Sequence, residues 1–145
     1  MAETYSRETA GPLGSTAFEK GDARLLRSTM KRIRATVDYD GQGIGDTVVL
    51  GKLPAGAAFS HGIITASATA GATATIAIGT AASPASFRTA ATFAAVDTPT
   101  MFGKSAAAAA DPLTEETTVI ATVAAAALPD SAAFMVVDIF YSDLS

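Results

Sequence analysis

The sequence predicts an all-β fold: an antiparallel β-sandwich, jelly-roll-like, with about eight short strands and an extended N-terminal arm. Three observations carry that expectation. Apolar runs recur at intervals of roughly ten residues, each closed by Gly, Pro or Asp. Several runs alternate with a period of two, the spacing that sends successive side chains to opposite faces of a sheet. Nowhere do strands alternate with helical patterns, so a parallel sheet has no support.

The first 30 residues differ from the rest. They carry Gly11-Pro12, Gly14 and Gly21, little apolar mass and no sustained period. They read as an arm ordered by a partner, with residues 31–145 as the sandwich domain. A short helix from Asp22 to Met30 is possible, since Leu25, Leu26 and Met30 would share a face. The basic residues gather at the arm's end: Lys20, Arg24, Arg27, Lys31, Arg32 and Arg34. This cluster suits an acidic protein surface first, a solvated edge next, and nucleic acid last, because no aromatic residues interleave with it.

From Arg32 the period is two. Ile33, Ala35, Val37 and Tyr39 alternate with Arg32, Arg34, Thr36 and Asp38. Asp40 to Asp46 is a glycine-rich loop. A phosphate cradle would need a helix next, but Thr47 to Lys52 reads as a strand, so the loop is expected to make a hairpin-like connection. Leu53-Pro54-Ala55-Gly56-Ala57 is a turn at a corner of the sandwich. Ala57 to Ser67 and Thr73 to Gly79 are the next strands, parted by Ala70-Gly71-Ala72. In the second, Ala74, Ile76 and Ile78 share a face.

Phe87 to Ala95 reads as a strand with Phe87 and Phe93 on one face, and Thr98 to Gly103 as a short extended piece. The alanine run 106–110 is either one helical turn or a loop, being too short to sustain a helix alone. Thr117 to Ala124 is rich in Thr and Val, as strands are. Ala132 to Tyr141 is the strongest strand. Met135, Val137, Ile139 and Tyr141 lie on one face, and Phe134, Val136, Asp138 and Phe140 on the other. With both faces largely apolar it is expected to be central or sealed by a neighbouring chain.

Composition narrows the function. A chain of 145 residues is one domain in size. It has no cysteine, which excludes disulfides, Cys-based zinc sites and thiol chemistry. Fourteen acidic and ten basic residues give a net charge of -4, which argues against nucleic-acid binding by the whole domain. Much of the 49% hydrophobic content is alanine, so the core is expected to be thin and part of the stability to come from neighbouring chains. The polar N-terminus lacks the apolar segment of a secretory signal, and Val119 to Leu128 is too short to span a bilayer. The expectation is a soluble protein made in the cytoplasm with no membrane partner.

No catalytic chemistry is declared. His61 is the single histidine, set between Ser60 and Gly62 with no acidic neighbour in sequence. A general base needs an orienting partner and a metal needs several ligands, so His61 reads as a structural or subunit-contact residue. Glu115 and Glu116 would point to opposite faces of a strand. Asp38, Asp40 and Asp46 lack the ligand spacing of a calcium loop. No G-x-S-x-G setting exists, and the aromatics are too dispersed for a stacking platform. No enzyme and no cofactor is expected.

Leu50-Gly51-Lys52-Leu53-Pro54-Ala55-Gly56-Ala57, then Ile76-Ala77-Ile78-Gly79-Thr80, then Phe134-Met135-Val136-Val137-Asp138-Ile139-Phe140-Tyr141 follow one another in an order that resembles small structural proteins of tailed bacteriophages. The likeness covers about residues 31 to 142, and it is similar to capsid decoration (cement) proteins. The resemblance implies a virion protein on the exterior of the head. It implies a homotrimer at the junctions between capsomers; the arm at residues 1–30 departs from the family's pattern, and its basic cluster, Lys20, Arg24, Arg27, Lys31, Arg32 and Arg34, is expected to contact the major capsid protein. Subunit contacts are then expected at His61, Phe134, Phe140 and Tyr141. A head fibre, a tail fibre or another tail-associated part is the alternative, and a carbohydrate- or cell-surface-binding module stands behind it.

Overall fold

A computed structural model describes residues 30–143. The elements in chain order are β1 (Met30–Asp40), β2 (Thr47–Leu53), β3 (Ala58–Ala66), β4 (Thr75–Gly79), β5 (Arg88–Ala91), β6 (Thr100–Phe102), α1 (Ser105–Ala108), β7 (Thr117–Ala124) and β8 (Asp130–Ser142). They form two four-stranded antiparallel sheets, β1-β8-β3-β6 and β2-β7-β4-β5. The first strand pairs with the last, the second with the second-last, and so on inward to β4 with β5. The chain is thus a long antiparallel ribbon folded over on itself, which is the jelly roll the sequence predicts.

The alternation in β1 explains its place. Val37 and Tyr39 are buried while Arg32, Arg34, Thr36 and Asp38 are exposed. The Tyr39 ring is 1% exposed, and its hydroxyl donates to the Ala68 carbonyl at 2.7 Å. Burial pushes its pKa up. β8 is central, between β1 and β3. Met135, Val137 and Ile139 are essentially fully buried and meet Leu53, Ile78, Val119 and Val123 in the core between the sheets. Alanines 57, 66, 70, 74 and 121 fill positions that a larger side chain would force apart.

The loop after β1 is not a hairpin. β1 and β2 lie in different sheets, so residues 41–46 cross from one sheet to the other. Loop length alone does not choose a partner. β8 offers β1 a ladder along nearly its whole length, and this ladder takes the place of pairing with β2. The crossing is tied down by Gly45 N donating to Val123 O at 2.7 Å and Gly43 N donating to Asp46 Oδ2 at 2.8 Å. The corner at Leu53–Ala57 also changes sheets, as expected. Gly56 sits at φ 89°, which a side chain disfavours, and Ala57 N closes the turn onto Pro54 O at 3.1 Å.

Two other expectations sharpen. The alanine run is one helical turn, α1. The strand expected over Phe87 to Ala95 shrinks to Arg88–Ala91, although Phe87 and Phe93 are both buried. The Arg88 guanidinium donates to the carbonyls of Ile76, Ala91 and Thr92 and lies 5.9 Å from the Phe93 ring centre. It occupies carbonyls that a longer ladder would use, and its burial lowers its pKa.

The loops gather at two ends. Residues 41–46, 67–74, 92–99 and 125–129 share one end, joined by Gly41 N to Pro129 O and Ala70 N to Phe93 O. Residues 54–57, 80–87 and 103–116 share the other, joined by Gly56 N to Leu113 O and Leu113 N to Ala57 O. The start of β1 and the end of β8 lie at this second end.

Candidate functional site

The outward side chains of the β1-β8-β3-β6 sheet form the surface with the strongest chemistry. Register places them in rows across the strands. Arg32, Phe140 and His61 make one row; Arg34, Asp138, Ile63 and Met101 the next; Thr36, Val136 and Thr65 a third; Asp38 and Phe134 the last. Apolar groups run through the middle and cations stand at the β1 edge. Met101 is 67% exposed and Phe134 41%, and the opposite face of Phe134's strand is buried at Met135, Val137 and Ile139. Large apolar side chains held on one sheet face and left in water are the mark of a docking surface.

A bulge creates part of this face. Phe59 pairs with Tyr141 and His61 with Phe140, so Ser60 is an extra residue in β3. Strict alternation would put Phe59 and His61 on the same side. The bulge instead turns Phe59 inward, where it stacks on Phe87 with ring centres 4.3 Å apart. His61 turns outward and stacks on Phe140 at 4.8 Å, while the Ser60 hydroxyl lies 2.9 Å from its Nδ1. The histidine therefore serves as a flat, half-buried ring on the outer face.

Arg34 and Asp138 set the electrostatics. Arg34 Nε and Nη2 donate to the two oxygens of Asp138, each at 2.8 Å. These bonds hold the Asp138 carboxyl below its ordinary pKa, against burial that pushes it up, with the charges of Arg34 and Arg32 adding to the bonds. The Asp138 side chain is 12% exposed and Arg34 53%, so the pair anchors an arginine whose far side still faces solvent. Arg32, one row away, is exposed. A partner surface with carboxylates would find two guanidinium groups about one row apart beside an apolar strip.

The expected contact residues divide between surfaces. Arg32, Arg34, His61, Phe134 and Phe140 share this outer face. Lys31 lies on the opposite side of β1, with Nζ 3.9 Å from Asp143 Oδ2. Tyr141 likewise faces inward and packs against the core. Lys20, Arg24 and Arg27, and the helix proposed from Asp22, lie outside the described residues. Met101 and Ile63 join the face without having been singled out in the sequence. Met101 belongs to a three-residue edge strand whose place depends on pairing with β3, so no local signal marks it. Asp138 did carry a signal: a lone carboxylate in an apolar strand needs a cationic partner.

The acidic loop residues hold no site. Asp46 caps its own loop, and among the described residues no group of three or more His, Cys, Asp or Glu side chains is placed to hold a metal ion. Among the described residues, no helix is long and apolar enough to cross a membrane.

No family model and no curated protein sequence matches the chain. Solved structures do. A chain from the capsid asymmetric unit of cyanophage Pam1 is similar with a TM-score of 0.65 and 20% identity, over 79% of this chain and 85% of that one. A chain in the capsid of Ralstonia phage GP4 is similar at 0.61 and 22%, over 81% and 85%. A chain in the acid-stable capsid structure of Helicobacter pylori bacteriophage KHP30 is similar at 0.60 and 19%, over 81% and 90%. At these identities the likeness is one of fold.

Proposed function

We propose that this chain is a structural virion protein of a tailed phage, a decoration or cement protein that binds the outside of the head and stabilises the capsid lattice. The observation that supports it most is the outer face of the β1-β8-β3-β6 sheet, on a jelly roll shared with chains from three phage capsid structures. That face combines exposed Phe134 and Met101, the stacked His61 and Phe140, and the arginines 32 and 34.

In this reading the apolar strip contacts neighbouring copies in a homotrimer, through His61, Phe134 and Phe140. The basic residues Lys20, Arg24, Arg27, Arg32 and Arg34 face acidic patches of the major capsid protein. A ligand that binds only the assembled lattice stabilises it by mass action, with no chemistry required of the protein itself. The capsid likenesses favour the head over a fibre or the tail.

The test is occupancy on purified heads. Copy numbers on the scale of the capsomers are expected, with loss of binding when Phe134 and Met101 are both replaced by Ser. A copy number on the scale of a single vertex, or a position on the tail in micrographs, overturns the reading.

A further inference from the structure

At the end of the sandwich where β1 begins, a groove of about 710 Å³ lies between the 80–87 loop and α1. Its floor is the stacked pair Phe59 and Phe87, and its walls include Pro84, Ala107 and Leu113. The rim carries Asp111 and Lys104, and Glu115, exposed like Asp111, follows in the same loop. On the wall, Ser86 buries a hydroxyl oxygen with no hydrogen-bond partner among the described residues. An apolar floor, an unmet hydroxyl and carboxylates at Asp111 and Glu115 suit an apolar peptide segment with cations beside it.

The chain carries such a segment next to the groove. Residues 24–27 read Arg-Leu-Leu-Arg, an apolar pair bracketed by two arginines. The register Lys31–Tyr141–Phe59 places the start of β1 two strands from the groove floor, roughly 10 Å at ordinary strand spacing. Leu26 is four residues before Met30, a reach of at most about 14 Å for extended chain. A segment tethered this closely meets the groove at a high effective concentration, well above that of any second copy in dilute solution.

We infer that the groove is the seat of the chain's own residues 24–27. Leu25 and Leu26 enter between α1 and the 80–87 loop. Arg24 and Arg27 meet Asp111 and Glu115 on the rim, and rotation of the Ser86 hydroxyl toward the groove gives it a backbone partner. The docked state belongs to the free protein. It holds the basic residues of the arm against the domain's own carboxylates until a more acidic surface competes for them. The inference concerns the chain's hold on its own arm and stands whatever the outer face binds.

The absence of cysteine makes the test direct. A nitroxide spin label on Ala23→Cys in the full chain should broaden the amide signals of Ala106, Ala107 and Leu113. It should leave those of Gly45 and Gly71 at the far end sharp. Adding Leu25→Asp and Leu26→Asp should restore the groove signals while the rest of the spectrum is unchanged. Broadening that is missing, or equal at both ends, overturns the inference. So does broadening that arises when spin-labelled chains are mixed with isotope-labelled chains carrying no label, because a second copy is then the occupant.

Discussion

The two outer faces of the sandwich have the same scaffold behind them and opposite chemistry. The β2-β7-β4-β5 sheet shows Thr47, Val49, Thr118, Ile120 and Thr122 beside Lys52, which lies 3.5 Å from Glu116, with no outward arginine or aromatic on β2 or β7. The β1-β8-β3-β6 sheet shows arginine, phenylalanine, histidine and methionine in register. Inward positions on both sheets are apolar: Val, Ile, Leu and Ala throughout, joined by Tyr39, Phe59 and Met135 on the β1-β8-β3-β6 side. The difference therefore has nothing to do with the core. One face sets large apolar side chains beside guanidinium groups, while on the other Thr, Val and Ile satisfy strand propensity around a single Lys52–Glu116 pair.

The largest effect expected is one that ignores this difference. Ile139→Ala, at the fully buried centre of β8, should lower unfolding free energy by about 2–5 kcal/mol in urea titrations. It supports both sheets, so it sets the scale for damage that comes from folding alone. Phe134→Ser with Met101→Ser should instead leave urea stability within about 0.5 kcal/mol, as for exposed positions generally. It should weaken binding to heads at least about tenfold, the scale of an interface hot spot. Val49→Ser, equally exposed on the other face at 63%, should change occupancy by less than about twofold. Equal losses from both faces would erase the comparison.

Gly62→Ala tests how the edge of the docking face is held. A Cβ at Gly62 would fall inside the Phe102 ring, which lies directly over it on the inward side. Relieving that clash should cost about 1–3 kcal/mol and displace β6, and Met101 with it. A crystal structure or Met101 methyl shifts would show the displacement. The smallest change expected is in pH dependence. Asp138 is depressed in the folded state, so its contribution is full above an unfolded value of about 3.9 and is lost as pH falls through the folded value. In Arg34→Ala the buried carboxyl loses its partner and is stabilised by protonation. Melting temperature measured from neutral pH to about pH 3 should fall less steeply in the variant than in the wild type.

Much of the fold could be read residue by residue. The alternation from Arg32 to Tyr39 gave both faces of β1, and β7 and the apolar double face of β8 fell where the pattern placed them. Pro54 and Gly56 marked a true corner. The 40–46 loop misled, because glycines signal a turn without naming the strand that will pair. Of the candidate site, Arg32, Arg34, His61, Phe134 and Phe140 were legible as residues but not as a set. Their meeting depends on register, and His61 faces outward only through the bulge at Ser60, which leaves no mark in the local pattern.

Most strands, and the hidden sides of β1, β7 and β8, can be read from the chain alone, since both follow from a period of two and the cost of exposing apolar groups. Which strands lie side by side was decided by tertiary structure, and so were the rows of the docking face, the Arg34–Asp138 pair and the groove beside Phe59 and Phe87. The physical reason is range. Alternation and turns act over a few residues, whereas Arg34 and Asp138 are 104 residues apart and meet only because the ribbon folds back on itself.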